Sequence, residues 1–162
     1  MRLTRAGEYA VRCVLYLASQ GAGVLCARKD IARTMDIPDQ FLGKIAQQLA
    51  RSGVIEIVQG ARGGFRLVGA PERVTLLEVV EAVIGEIFLN DCVMRPESCN
   101  RSHACAVHCV WAKAKDQLRR TLQEATFARI LRETSCMPSL TVETTPAARP
   151  RRKINRLKKG GN

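Results

Sequence analysis

The stretch PDQFLGKIAQQLARSGVIEIVQGARGGFRLV, Pro38–Val68, decides the fold. Pro38 fits the start of a helix, and Phe41, Leu42, Ile45 and Leu49 recur at helical spacing, so a helix is predicted from about Pro38 to Ser52, closed by Gly53. Its other side shows Gln40, Gly43, Lys44, Gln47, Gln48 and Arg51. Val54–Val58 then reads as a strand, Gly60–Gly64 as a glycine-rich turn and Phe65–Val68 as a returning strand. Each part alone is weak. An amphipathic helix is as often a solvated face as a reading face, and this glycine turn lacks the Lys-Ser/Thr ending of a P-loop. Together, a hairpin placed directly after such a helix is the wing of a winged helix, with Arg62 at the tip able to enter a narrow, strongly negative minor groove.

Upstream, Arg28–Met35 reads as a short helix with Ile31, Ala32 and Met35 inward, and Asp36-Ile37-Pro38 as the turn into the next helix. Two helices joined this way fit a helix-turn-helix whose second member enters the major groove. Before them, Thr4 caps a helix running to about Ser19, with Ala6, Ala10, Cys13, Val14 and Leu17 on its inner face and an end at Gly21. Cys13 reads as a small core residue, and Glu8, off that stripe, as a solvated carboxylate.

Downstream, Thr75–Glu78 is a capping box opening a helix with Leu77, Val80, Val83, Ile84 and Ile87 apolar. It leads into DCVMRPESCNRSHACAVHC, Asp91–Cys109, which holds four of the seven cysteines and both histidines. Thiolate and imidazole ligands suit zinc, copper or an iron-sulfur cluster, whereas calcium and magnesium prefer oxygen. Six residues separate Cys92 from Cys99, five separate Cys99 from Cys105, and two separate Cys105 from His108. That spacing lacks the tight knuckles of structural zinc, while a wide loop can wrap a larger cluster. Zinc is the second reading, and with it a constitutive winged-helix DNA-binding protein. Beyond the loop, Val107, Trp111, Ala114, Leu118, Leu122 and Ala125 form a seam on a helix predicted to reach about Leu131, suited to packing on a second copy. Folding back onto its own domain is the alternative.

The net charge of +11 on 162 residues calls for a polyanionic partner or for a tail that distorts the average. Both apply. From Arg149 onward there are seven Lys or Arg and no acid, which leaves 19 basic against 15 acidic residues elsewhere. No apolar run approaches the length of a membrane span, and the first residues lack a signal-peptide core, so a cytoplasmic location is expected. There is no Cys-x-x-Cys redox pair, nucleotide-binding glycine loop or paired catalytic carboxylates, so no enzyme is expected.

With these residues in place, the sequence resembles the winged-helix bacterial regulators of the Rrf-two type, which include IscR-like and NsrR-like iron-sulfur regulators. The resemblance spans roughly Met1 to Glu133 and rests on MRLTRAGEYAVR (Met1–Arg12), QGARGGFRL (Gln59–Leu67) followed by APERVTLLEVVEAVIG (Ala70–Gly85), and CAVHCVW (Cys105–Trp111). It implies a homodimeric regulator, a repressor in the first instance, that binds a double-stranded DNA operator under the control of an iron-sulfur cluster, 2Fe-2S favoured and 4Fe-4S the alternative. Carried over by position, Cys92, Cys99 and Cys105 match the cluster cysteines and His108 the fourth ligand of IscR-like members. Glu8 falls where NsrR-like members have an acidic ligand from the partner subunit. The first gap is one residue longer than usual and Cys109 adds a thiol, so Glu8 and Cys109 stay open as alternatives to His108. Gln59 replaces the arginine common before the first wing glycine, and Gly43 replaces a base-reading side chain. The DNA-contact candidates are therefore Arg28, Gln40, Lys44, Gln47 and Arg62. The expected architecture is mainly α with a small β-hairpin: a winged helix-turn-helix at residues 1–70, the cluster loop and a long C-terminal dimerisation helix within 71–134, and a disordered basic tail at 135–162.

Overall fold

The computed structural model describes residues 4–133, so the basic tail and Cys136 lie outside the described residues. The chain runs α1 (Arg5–Gln20), α2 (Arg28–Thr34), α3 (Asp39–Arg51), β1 (Ile55–Val58), β2 (Gly64–Leu67), α4 (Leu76–Ile84), α5 (Asp91–Met94), α6 (Ala106–Glu124) and α7 (Phe127–Arg132). This is a mainly helical architecture with one antiparallel hairpin, a winged helix followed by further helices.

Local chemistry places each boundary. The Thr4 hydroxyl accepts from the Gly7 N–H at 3.2 Å and starts α1. Asp36 takes a left-handed backbone (φ 51) that lets α2 turn sharply into α3, a conformation Asp tolerates better than most residues. Thr75 caps α4 by accepting from the Glu78 N–H at 3.2 Å. In the wing, Ile57 pairs with Phe65 and Glu56 with Arg66. The Arg66 guanidinium grips the Glu56 carboxylate across the strands at 2.8 to 3.0 Å. A third segment ties the wing down, because Cys26 and Phe65 exchange two backbone hydrogen bonds of 2.9 Å. Gly64 makes that approach feasible; a Cβ there would collide with the Cys26 carbonyl.

Ala10, Cys13, Val14 and Leu17 of α1, Ile31 of α2, and Leu42, Ala46 and Leu49 of α3 are sealed from solvent. Each fully buried Leu or Ile contributes about 1.5–3 kcal/mol relative to exposure. Val79 of α4 and Phe127 of α7 join this same core.

The structure departs from the periodicity reading in four places. Phe41 is 44% exposed rather than inward; its ring leans on Tyr9 of α1, centroids 6.0 Å apart, while Ala46 takes the inner place. Gln48 is half-buried instead of solvated and donates to the Val83 carbonyl at 3.3 Å, linking α3 to α4. Helix α4 stops at Gly85, so Ile87 is buried from beyond the helix, with its N–H held by the Glu81 carboxylate at 2.8 Å. The helix predicted to reach Leu131 breaks at Ala125. There the chain turns extended, the Ala125 carbonyl accepts from the Leu76 N–H at 2.8 Å, and Thr126 caps α7, which folds back against α1. Hydrogen bonding to the start of α4 and full burial of Phe127 outweigh the continuity of the helical pattern.

Candidate nucleic-acid interface and metal centre

The core orientation of α3 leaves Gln40, Lys44 and Gln47 exposed on one strip of that helix, spaced at three and four residues. Arg62 is exposed at the wing tip, on the hairpin that the Glu56–Arg66 pair and the Cys26 bridge hold in place. Arg28 is not a free surface cation. Its Nη2 donates to the Asp39 carbonyl and carboxylate, both at 2.6 Å, which fixes the start of α2 to the first turn of α3. The structure thus brings four of the five DNA-contact candidates to α3 and its α2 neighbour and sets the fifth on the wing.

The cysteine loop is built from α5 and two single 3-10 turns, Pro96–Ser98 and Ser102–Ala104. Buried Ser102 is its pin. The hydroxyl lies 2.5 Å from the Pro96 carbonyl and 2.9 Å from that of Cys99, sharing one proton between them. Cys92 is half-buried in α5, Cys99 exposed after the first turn, and Cys105 half-buried at the N-cap of α6. His108 sits in the first turn of α6, with its N–H donating to the Cys105 carbonyl at 3.1 Å. Its ring Nδ1 is buried with no hydrogen-bond partner among the described residues, unlike most buried polar atoms. Cys109 is exposed one residue further on, and Glu8 is exposed in the first turn of α1. Among the described residues, no three His, Cys, Asp or Glu side chains gather closely enough to hold a metal ion.

Periodicity did not single out a polar joint between this loop and the folded head. Lys115 of α6 contacts Met94 Sδ at 3.5 Å and Glu86 at 3.1 Å. Arg119, one turn on, pairs with Glu81 of α4. With the Asn90 side-chain oxygen turned toward α6, Trp111 Nε1 donates to it at 2.9 Å. The available signal was the spacing of two cations at 115 and 119 opposite acids at 81 and 86. An arginine–carboxylate pair of this kind fixes geometry as well as charge.

The family described as "Rrf2: Iron-dependent Transcriptional regulator" matches residues 3–133. The chain belongs to the Rrf2 family. It is a transcriptional regulator, and not an enzyme. Among the relatives it is similar to, protein aau3 of Rhizobium meliloti (strain 1021) is 34% identical over 78% of this chain and 82% of its own length. The HTH-type transcriptional regulator NsrR of Halalkalibacterium halodurans is 30% identical over 81% of this chain and 90% of its own. Among solved structures, T. potens IscR superposes with a TM-score of 0.67 at 20% identity, covering 86% of this chain and 93% of that one; at this identity the likeness speaks to fold. No helix among the described residues is long and apolar enough to cross a membrane.

Proposed function

We propose that this Rrf2-family chain is a homodimeric, cytoplasmic repressor that binds a double-stranded DNA operator and whose operator affinity follows the state of an iron-sulfur cluster on the Asp91–Cys109 loop. The observation that carries the cluster reading is the buried, unpartnered Nδ1 of His108, one helical turn from the Cys105 thiol. A buried imidazole nitrogen without a protein partner fits a ligand atom better than a packing atom. The donor set fits too: three widely spaced loop thiols and an imidazole suit an iron-sulfur cluster, on which His can replace Cys. Cys92, Cys99, Cys105 and His108 would hold the group, with Glu8 and Cys109 as alternatives to His108, and 2Fe-2S favoured over 4Fe-4S. When bound, the cluster supplies a redox- and nitrosylation-sensitive centre.

The chain's own residues carry the rest. Gln40, Lys44 and Gln47 face the major groove, Arg62 the minor groove, and Arg28 stands beside the reading helix. Lys115 and Arg119 tie the loop-bearing helix to Glu86 and Glu81, and Gln48 ties α4 to α3, so ordering of the loop reaches the reading helix through packed, charge-assisted contacts. A coupling of about 1–3 kcal/mol would change operator affinity about 5- to 150-fold. Exposed Val107, Val110 and Trp111 on α6 support a helix-to-helix dimer, which would set two reading heads about one turn of DNA apart.

The test is an anaerobic preparation with iron and sulfide counts, followed by gel shifts of holo and demetallated protein at one salt concentration. The expected result is coloured, iron-containing protein whose operator affinity changes on demetallation, and a spectrum altered by His108→Ala. Equal affinity of both forms would remove the switch and leave DNA binding. A colourless, zinc-containing protein would restore the structural-zinc reading.

A further inference from the structure

Positions 40, 43, 44 and 47 form one strip on α3, and three of them carry exposed polar side chains, while the fourth is Gly43. The strip has no gap there. A Cβ built on Gly43 would lie 3.1 Å from Arg28 Nη2, 3.4 Å from Cζ and 3.5 Å from Nη1, so the guanidinium of the preceding helix lies across the bare backbone. Three features show that it is held there rather than resting. Nη2 spends its protons on the Asp39 carbonyl and carboxylate, at 2.6 Å each. Asp39 stands in the first turn of α3, where a carboxylate is favoured by the helix dipole. Nε is buried, with no hydrogen-bond partner among the described residues, so the guanidinium is packed in at that edge and not free in solvent. Nη1 differs: it has no hydrogen-bond partner among the described residues, and the side chain as a whole is 42% exposed.

We propose that Arg28 is a specificity-determining residue, supplied by α2 to the place that Gly43 leaves empty in the reading strip, and that it donates through Nη1 to an acceptor on the major-groove edge of a guanine. Guanine is the class of base selected because its major-groove edge offers only acceptors, O6 and N7, to a group that can only donate, whereas adenine and cytosine set an amino donor there and thymine a methyl beside its one acceptor. The inference rests on the DNA-binding reading above. Because Nη2 is committed to Asp39, the two-pronged arginine grip on guanine is closed to this residue. Its discrimination is that of one charge-assisted hydrogen bond, about tenfold.

The experiment selects duplexes from a randomised pool with the full chain, then measures Kd on the selected duplex and on each single-base-pair variant of it. The proteins compared are wild type, Arg28→Ala, Gly43→Ala and Arg28→Lys, with thermal melting to check folding. Wild type is expected to require guanine at one position of each half-site. Arg28→Ala should bind the selected duplex about tenfold more weakly and lose the preference at that position alone. Gly43→Ala, whose methyl would press on the guanidinium, should move the same way. Should Arg28→Ala fail to fold, Arg28→Lys carries the test, since it keeps the charge but not the planar fork, and it too should lose the guanine preference. An Arg28 variant that weakens binding equally on every duplex would reveal a phosphate contact and overturn the proposal, as would a variant with unchanged preferences. A wild-type chain that selects no duplex at all would instead remove the DNA-binding reading, and this inference with it.

Discussion

In the winged-helix region Val14, Leu17, Ile31, Leu42, Leu49 and Leu67 are sealed from solvent, whereas α6, 19 residues long, has no fully buried residue against the rest of the described residues. Both regions are patterned for helix and both carry apolar stripes, yet only one closes on itself. The head has three helices and a hairpin that cover one another; α6 packs half-buried Leu118 and Leu122 against the Leu77, Val80 and Ile87 cluster and pairs Lys115 with Glu86 and Arg119 with Glu81. Apolar surface drives folding only where a second surface covers it. The contrast teaches that the head carries its stability internally, while the arm leaves Val107, Val110 and Trp111 exposed.

Thiol chemistry gives the largest expected contrast. Burial, reinforced by the nearby Cys26, pushes the Cys13 thiol up to about 12, and burial with Asp30 nearby raises Cys26 as well. At neutral pH the Cys13 thiolate is then about a thousandfold scarcer than that of an ordinary thiol, before counting its exclusion from solvent. In chelator-treated protein, alkylation followed by mass spectrometry should mark Cys99 and Cys109 first and Cys13 last among the cysteines of the described residues. Labelling of Cys13 at the rate of Cys99 would mean that the head is not the sealed body described.

Core truncation comes next. Phe127→Ala removes a fully buried ring at the point where α7 returns to α1, and should cost about 3–5 kcal/mol in urea unfolding. Val110→Ala, at a position 61% exposed on α6, should change the stability of the monomeric chain by less than about 0.5 kcal/mol. Similar losses for the two would erase the distinction between head and arm.

The joint between them gives the smallest effect. A double-mutant cycle of Arg119→Ala and Glu81→Ala should show coupling of about 1 kcal/mol, because the pair is only partly shielded from water. Additive losses would detach α6 from α4 energetically and leave the proposed route from loop to reading helix without its first link.

Much of this was legible in the residues. The helix-turn-helix could be read because Leu42, Ile45 and Leu49 repeat at helical spacing and an alternating hairpin follows at once, so local pattern and tertiary role agree. The loop was legible as chemistry, since four thiols and two imidazoles set among Arg95, Glu97, Ser98, Asn100, Arg101 and Ser102 between two helices cannot pack as a core. Arg28 was legible only as a cation near the reading helix. Its seat on Gly43 depends on the angle between α2 and α3, which no spacing within one helix encodes. The break at Ala125 was hidden for a similar reason: the apolar repeat continues through it, and only the approach of the α4 N-terminus gives the freed backbone its partners.

By itself the sequence determined which segments are helix and strand, which faces are apolar, and where thiols and imidazoles are concentrated, because periodicity, capping and side-chain chemistry are local properties. Only the tertiary structure decided that α7 returns to the head, that Gln48 leaves the solvated face to hold α4, and that an arginine of α2 fills the position of a missing side chain on α3. Those outcomes depend on which surfaces meet, and a meeting of distant surfaces is settled by burial and by the need to satisfy backbone and side-chain hydrogen bonds together.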